Sequence, residues 1–282
     1  MYPNWTKNDI VVDGIKIHYT RTGDGSKPVL VLAHGFSDSG LCWLPLARDL
    51  EADYDVILPD ARGHGLSARV QPGEDIDLVA DTAGLIRGLG LDRPILGGHS
   101  MGANTSAQVG ARFPGMMRAL VLEDPPWGMR ETPKEPEPEK VGQPRQNPMD
   151  WILKLENMSV EELIAQCRKD SPTWQEAELR PWAESKKQFD YNFLQRPGRN
   201  PFQDWQEVAQ AIRCPTLLIT ADPGKGAIVN PETAQQVVKS NSSIHLVNIP
   251  GAGHNIRREN YPAYLKAVRA FLKEQYACEE KT

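Results

Sequence analysis

Six short apolar runs recur along this chain, and none of them alternates strictly between apolar and polar residues. They cover residues 29–33, 54–58, 94–97, 119–122, 216–220 and 244–249, and each stops at a turn-forming cluster such as His34-Gly35, Pro59-Asp60 or Pro250-Gly251. A strand with one wet face would alternate, whereas an unbroken apolar run is a strand covered on both sides, the habit of parallel sheets. Segments of helical period fall between the runs, at 41–50, 77–89, 101–113, 231–239 and 261–277. Strands and helices in turn at this pitch predict a doubly wound, mostly parallel α/β sheet. Residues 10–12 and 15–20 flank Asp13-Gly14, a hairpin dipeptide, and predict an antiparallel lead-in.

The alternation breaks between residues 125 and 208. That stretch holds 11 of the 23 prolines and 5 of the 7 tryptophans. Residues 132–148 are rich in Pro, Glu and Lys and read as a mobile loop, while 151–158, 160–168 and 175–190 read as helices with no strand between them. The expected organisation is a core domain built from residues 1–124 and 209–282. Residues 125–208 form an inserted helical lid, set over the sheet edge where open α/β sheets take ligands.

Composition narrows the function classes. With 40% hydrophobic and 24% charged residues among 282, the chain is neither disordered nor fibrous. A formal net charge of −5 offers no attraction for nucleic acid or an anionic membrane, so the expected partner is a small, partly apolar substrate. Cys42, Cys167, Cys214 and Cys278 are scattered without a CxxC, which argues against a disulfide framework and a zinc site. The first ten residues lack the layout of a signal peptide, and no 18-residue apolar run occurs, so a cytoplasmic location is expected. No P-loop, dinucleotide fingerprint or clustered metal ligands appear, so the chemistry is expected to need no cofactor and no metal.

One motif carries chemistry. Gly98-His99-Ser100-Met101-Gly102 is a G-x-S-x-G pentapeptide between an apolar run and a small-residue helix, the context that such a motif requires. The glycines permit a sharp turn that lifts the Ser100 hydroxyl above the sheet edge. The start of the helix offers the Met101 backbone N–H to a developing oxyanion. Ser100 is the expected nucleophile and needs a base. Of six histidines, His18 and His245 sit within expected strands, and His99 should point away from its neighbour Ser100. His254 follows Gly251-Ala252-Gly253 after the last strand, a turn able to bring an imidazole to Ser100.

These residues resemble the α/β-hydrolase superfamily. The likeness includes His34-Gly35-Phe36, the block Asp60-Ala61-Arg62-Gly63-His64-Gly65-Leu66-Ser67, the Ser100 elbow and the His254 turn, and it covers nearly the whole chain outside the insertion. It implies that Phe36 supplies the second oxyanion amide and that Asp60, Arg62 and His64 are scaffold. Relatives that open epoxides or remove halogens need a carboxylate in the elbow, and position 100 is a serine.

The carboxylate that orients the base has two candidate sites. The family usually carries it after the penultimate strand, where this chain has Asp222, about two residues early. Certain lactonases and amide hydrolases carry it after the strand preceding the lid, where Glu123-Asp124 stands. Asp124, further out on the loop, is preferred to Asp222, and Glu123 ranks behind both. Trp43 and Trp127 are the expected apolar substrate wall. The implied activity is hydrolysis of a carboxylic ester or lactone through an acyl-enzyme. Cleavage of a C–C or amide bond with the same triad, or cofactor-free perhydrolysis, is the alternative, and a ligand receptor on the same fold is the rival from another class.

Overall fold

The computed structural model describes residues 5–128, 150–195 and 205–277, so the loop expected over 132–148 and Cys278 lie outside the described residues. Eight strands form one sheet in the order β1-β2-β4-β3-β5-β6-β7-β8. They are β1 (Thr6–Val12), β2 (Ile15–Arg21), β3 (Val29–Ala33), β4 (Asp55–Pro59), β5 (Ile95–His99), β6 (Ala119–Glu123), β7 (Thr216–Thr220) and β8 (Ile244–Asn248). β1 and β2 pair antiparallel around the Asp13-Gly14 turn, β2 pairs antiparallel with β4, and the strands from β4 to β8 run parallel.

The unalternated runs have a simple origin: each strand feeds two cores. Leu30, Leu32, Val56, Leu58, Val121, Leu217 and Ile219 enter the core on one face. Their in-between neighbours Val31, Ile57, Leu120, Leu122 and Leu218 enter the core on the other. Side chains of a strand alternate sides, so only a sheet covered on both faces buries every residue of the run. Each fully buried Leu, Ile or Val contributes about 1.5–3 kcal/mol.

The covering helices are α1 (Leu44–Leu50), α2 (Leu78–Gly88) and α3 (Met101–Arg112), then α4 (Asp150–Glu156), α5 (Val160–Asp170), α6 (Glu176–Gln188) and α7 (Trp205–Ala211), and finally α8 (Pro231–Ser240), α9 (Ile256–Glu259) and α10 (Tyr261–Ala277). Several begin on residues chosen for that task. Asp77 accepts from the Val79 and Ala80 amides at the start of α2, and Ser159 with Glu162 closes a capping box on α5. α1 and α10 lie on one face, where Trp43, Leu46, Tyr264 and Phe271 join the core. The other face is covered by α2, α3, α7 and α8. α9 is four residues long, too short for any period to announce it.

Between β6 and β7 the described residues hold α4, α5, α6, a 3-10 turn at Tyr191–Gln195 and α7, with no strand. α7 runs across residue 208, where the strand pattern set the far edge of the insertion. It packs on α3 and α8 of the sheet layer, with Ala209 buried in the core beneath them.

Candidate active site

The elbow forms where β5 meets α3. Ser100 adopts φ 52° and ψ −115°, a backbone that a serine rarely takes, and such a conformation costs about 1–3 kcal/mol. A Cβ at Gly98 would run into the Gly102 carbonyl, and one at Gly102 into the carbonyls of Ala33 and His34. Both positions are therefore bare so that α3 can start directly against the strands. The Ser100 amide donates to the Glu123 carbonyl at 2.9 Å, which ties the elbow to the end of β6. Met101 is the first residue of α3, so its N–H is one of the helix's free N-terminal donors and lies beside the hydroxyl.

The strand order brings the other candidates to this point. β3 and β6 flank β5, so the loops carrying Phe36 and Asp124 border the elbow. Asp124 is fully buried and takes φ 42°. Its Oδ1 accepts from the Val229 amide at 2.9 Å and its Oδ2 from the Ile228 amide at 2.8 Å. The His254 Nδ1 donates to the same Oδ2 at 2.6 Å. That bond leaves Nε2 as the free ring nitrogen. No hydrogen bond joins Ser100 to His254 among the described residues, and such contacts often tighten only around substrate.

The competing carboxylates go elsewhere. Asp222 accepts from the Gly251 amide at 2.7 Å and so closes the turn after β8. Glu123 faces the opposite side of its strand, where it accepts from the Arg257 amide at 2.9 Å and pairs with its guanidinium at 3.3 Å. Burial raises the Glu123 pKa against the pull of Arg257.

His99 is buried. Its Nε2 donates to the His254 carbonyl at 3.0 Å, and the two rings lie 4.7 Å apart. Burial holds the His99 imidazole well below its usual range, so it stays neutral beside His254. The Asp60 carboxylate accepts from the Gly40 and Leu66 amides, Arg62 pairs with Asp81 and Glu74, and His64 Nδ1 bonds the Arg62 carbonyl.

Trp43 and Trp127 lie within the packed interior. Both are fully buried, Trp43 with the Arg257 guanidinium 3.9 Å above its ring. Trp127 stacks on Trp205 at 6.3 Å and donates from Nε1 to Asn104 at 3.1 Å. Trp43 belongs to the core on one face of the sheet and Trp127 to the core on the other. The ring of Phe36 meets Phe189, Phe193 and Trp151 at 5.2, 6.1 and 6.5 Å.

Two features were invisible to motif reading. The Ile228 and Val229 amides hold Asp124, yet main-chain donors carry no sequence signal. Asp38, two residues past Phe36, is buried with Lys186, Arg257 and Arg258 around it. Burial would raise its carboxyl, but Arg258, Lys186 and Arg257 outweigh that and hold it well below the usual carboxylate range. Its only sequence signal is a charge within an otherwise neutral loop.

Known proteins align with this arrangement. The profile of the Alpha/beta hydrolase family matches residues 30–267. N-formylmaleamate deformylase of Pseudomonas putida is 30% identical over 278 residues, covering 94% of this chain and 95% of that protein. Epoxide hydrolase 3 of Xenopus tropicalis is 26% identical over 93% of this chain and 76% of its own length. Among solved structures, E-2-(acetamidomethylene)succinate hydrolase superposes with a TM-score of 0.75 at 21% identity, over 96% of this chain and all 100% of that one, a likeness of fold.

Proposed function

The chain belongs to the alpha/beta hydrolase family of enzymes, and within it we propose a serine hydrolase that cleaves a carboxylic ester or lactone through an acyl-enzyme on Ser100. His254 Nε2 takes the hydroxyl proton as Ser100 Oγ attacks the carbonyl carbon. The oxyanion rests on the amides of Met101 and Phe36, donors already fixed when the charge develops. His254 then gives its proton to the leaving oxygen, and the acyl group stays on Ser100. Water deprotonated by His254 attacks the acyl carbon, releases the acid and restores the serine.

The observation that carries this reading is the 2.6 Å bond from His254 Nδ1 to a fully buried Asp124. Asp124, already holding two amides, keeps the imidazole in the tautomer with Nε2 free and stabilises the imidazolium that forms. We read residues 125–208 as a cap over this site, and the rings gathered at Phe36 suit a partly apolar substrate. No helix among the described residues is long and apolar enough to cross a membrane. The three described cysteines are free thiols, which supports a reducing, cytoplasmic location.

A second reading, amide hydrolysis, is favoured by one finding: the relative 30% identical over almost the full chain is named a deformylase. The same triad serves both bonds, with nitrogen in place of oxygen as the leaving atom. Epoxide opening is not carried over from the epoxide hydrolase, because the elbow holds Ser100 and not a carboxylate.

The test is a fluorophosphonate probe, expected to label the wild type and not Ser100→Ala. A folded wild type that resists labelling overturns the serine-hydrolase reading and points to a receptor on this fold. Comparing kcat/KM on a p-nitrophenyl ester, a lactone and an N-formyl amide then separates the two bond classes.

A further inference from the structure

Charged side chains from three separate segments meet beneath the loop that carries Phe36. Lys186, near the C-terminal end of α6, is only 2% exposed. Its ammonium donates to the Ser37 carbonyl at 3.0 Å, the Ser37 hydroxyl at 3.1 Å and the Asp38 carboxylate at 2.8 Å. The other Asp38 oxygen accepts from Arg258 on α9 at 3.1 Å, and Arg258 Nε donates to Glu178, back on α6, at 3.1 Å. Aromatic rings of the inserted segment cover the cations, Trp182 under Lys186 and Trp174 under Arg258. One inserted helix is thus braced against both the loop after β3 and the helix that follows His254.

The contact with Ser37 is the informative one. Asp38, Glu178, Lys186 and Arg258 carry two charges of each sign, so ion pairing among themselves would suffice to bury them. Lys186 nevertheless spends two of its three N–H groups on Ser37, a buried residue at φ 60°. A left-handed serine costs energy, and its buried carbonyl needs a donor. The residue before that turn is Phe36. We propose that Lys186 is a positioning residue: by holding the Ser37 turn it aims the Phe36 amide at the oxyanion, so that the inserted segment completes the site. This rests on the serine-hydrolase reading above.

Two variants test it, Lys186→Met and the charge-balanced Asp38→Asn/Lys186→Met. The second removes the ammonium together with its counter-charge, so it remains a usable probe if the single variant fails to fold. With a short p-nitrophenyl ester, kcat per folded site is expected to fall on the order of 10- to 100-fold in each, the effect of a misaimed donor. KM should stay within about a factor of two, and the Ki of a trifluoromethyl ketone should rise by the same factor as kcat falls. A merely structural Lys186 would lower the melting temperature and leave kcat and ketone binding per folded site unchanged, and that result overturns the proposal. So does a double variant with wild-type kcat, since the role would then be charge balance alone. A wild type that fluorophosphonate does not label overturns the hydrolase reading and this proposal with it. A labelled wild type with unaltered variants overturns this proposal only.

Discussion

His254 donates from Nδ1 to Asp124 Oδ2 across 2.6 Å, joining residues 130 positions apart. Asp124 closes β6, while Asp222 at the end of β7 turns instead to the Gly251 amide. The carboxylate that meets His254 therefore stands at the end of β6, beside the elbow whose amide the same strand holds.

Asp124→Asn is expected to lower kcat by up to about 10⁴-fold, because an amide stabilises the wrong imidazole tautomer and no imidazolium. Asp222→Asn should leave turnover essentially unchanged. Steady-state kinetics of the two variants on one p-nitrophenyl ester decides between them, and the reverse pattern would return the role to Asp222.

The elbow leaves no room at position 98. Gly98→Ala would drive a methyl into the Gly102 carbonyl, backbone that cannot swing aside, with a loss of about 1–3 kcal/mol. Both the melting temperature and the rate of fluorophosphonate labelling should drop. Normal labelling in a destabilised variant would show that the elbow tolerates a shifted helix.

Because burial depresses the His99 pKa well below 6.5, the unfolded chain takes up a proton there that the folded chain refuses. The stability this confers is present above pH 6.5 and drains away as the pH falls below it. The contribution to the slope is up to about 1.4 kcal/mol per pH unit. His99→Gln, which keeps an N–H near Nε2, should flatten that part of the curve when urea unfolding is followed from pH 7 to pH 5. An unchanged slope would mean that His99 titrates alike in both states.

Trp127→Phe keeps an aromatic ring against Trp205 but loses the bond to Asn104. Unfolding stability should decline by about 1 kcal/mol with KM unaltered. A several-fold rise in KM with stability intact would place Trp127 at the substrate wall.

Much of the core was legible because its signals are local. The runs at 29–33 and 216–220 coincide with β3 and β7, and the motif at Ser100 falls at the junction of β5 and α3. α9 went unseen since four residues hold barely one turn. The surroundings of Trp127 were not legible, because a large aromatic residue next to a candidate acid looks the same in sequence whether it faces a pocket or a core. Only packing shows that Trp127 is sealed against Trp205 and Asn104.

What the sequence by itself determined was the doubly wound sheet, the elbow and the narrow choice between two carboxylates. These follow from periodicity, glycine sterics and the reach of single loops, all local properties of the chain. Tertiary structure alone decided that Asp124 and not Asp222 meets His254, and that Lys186 of an inserted helix grips Ser37. Those pairings depend on which strands lie side by side and on where long side chains end, which no spacing along the chain encodes.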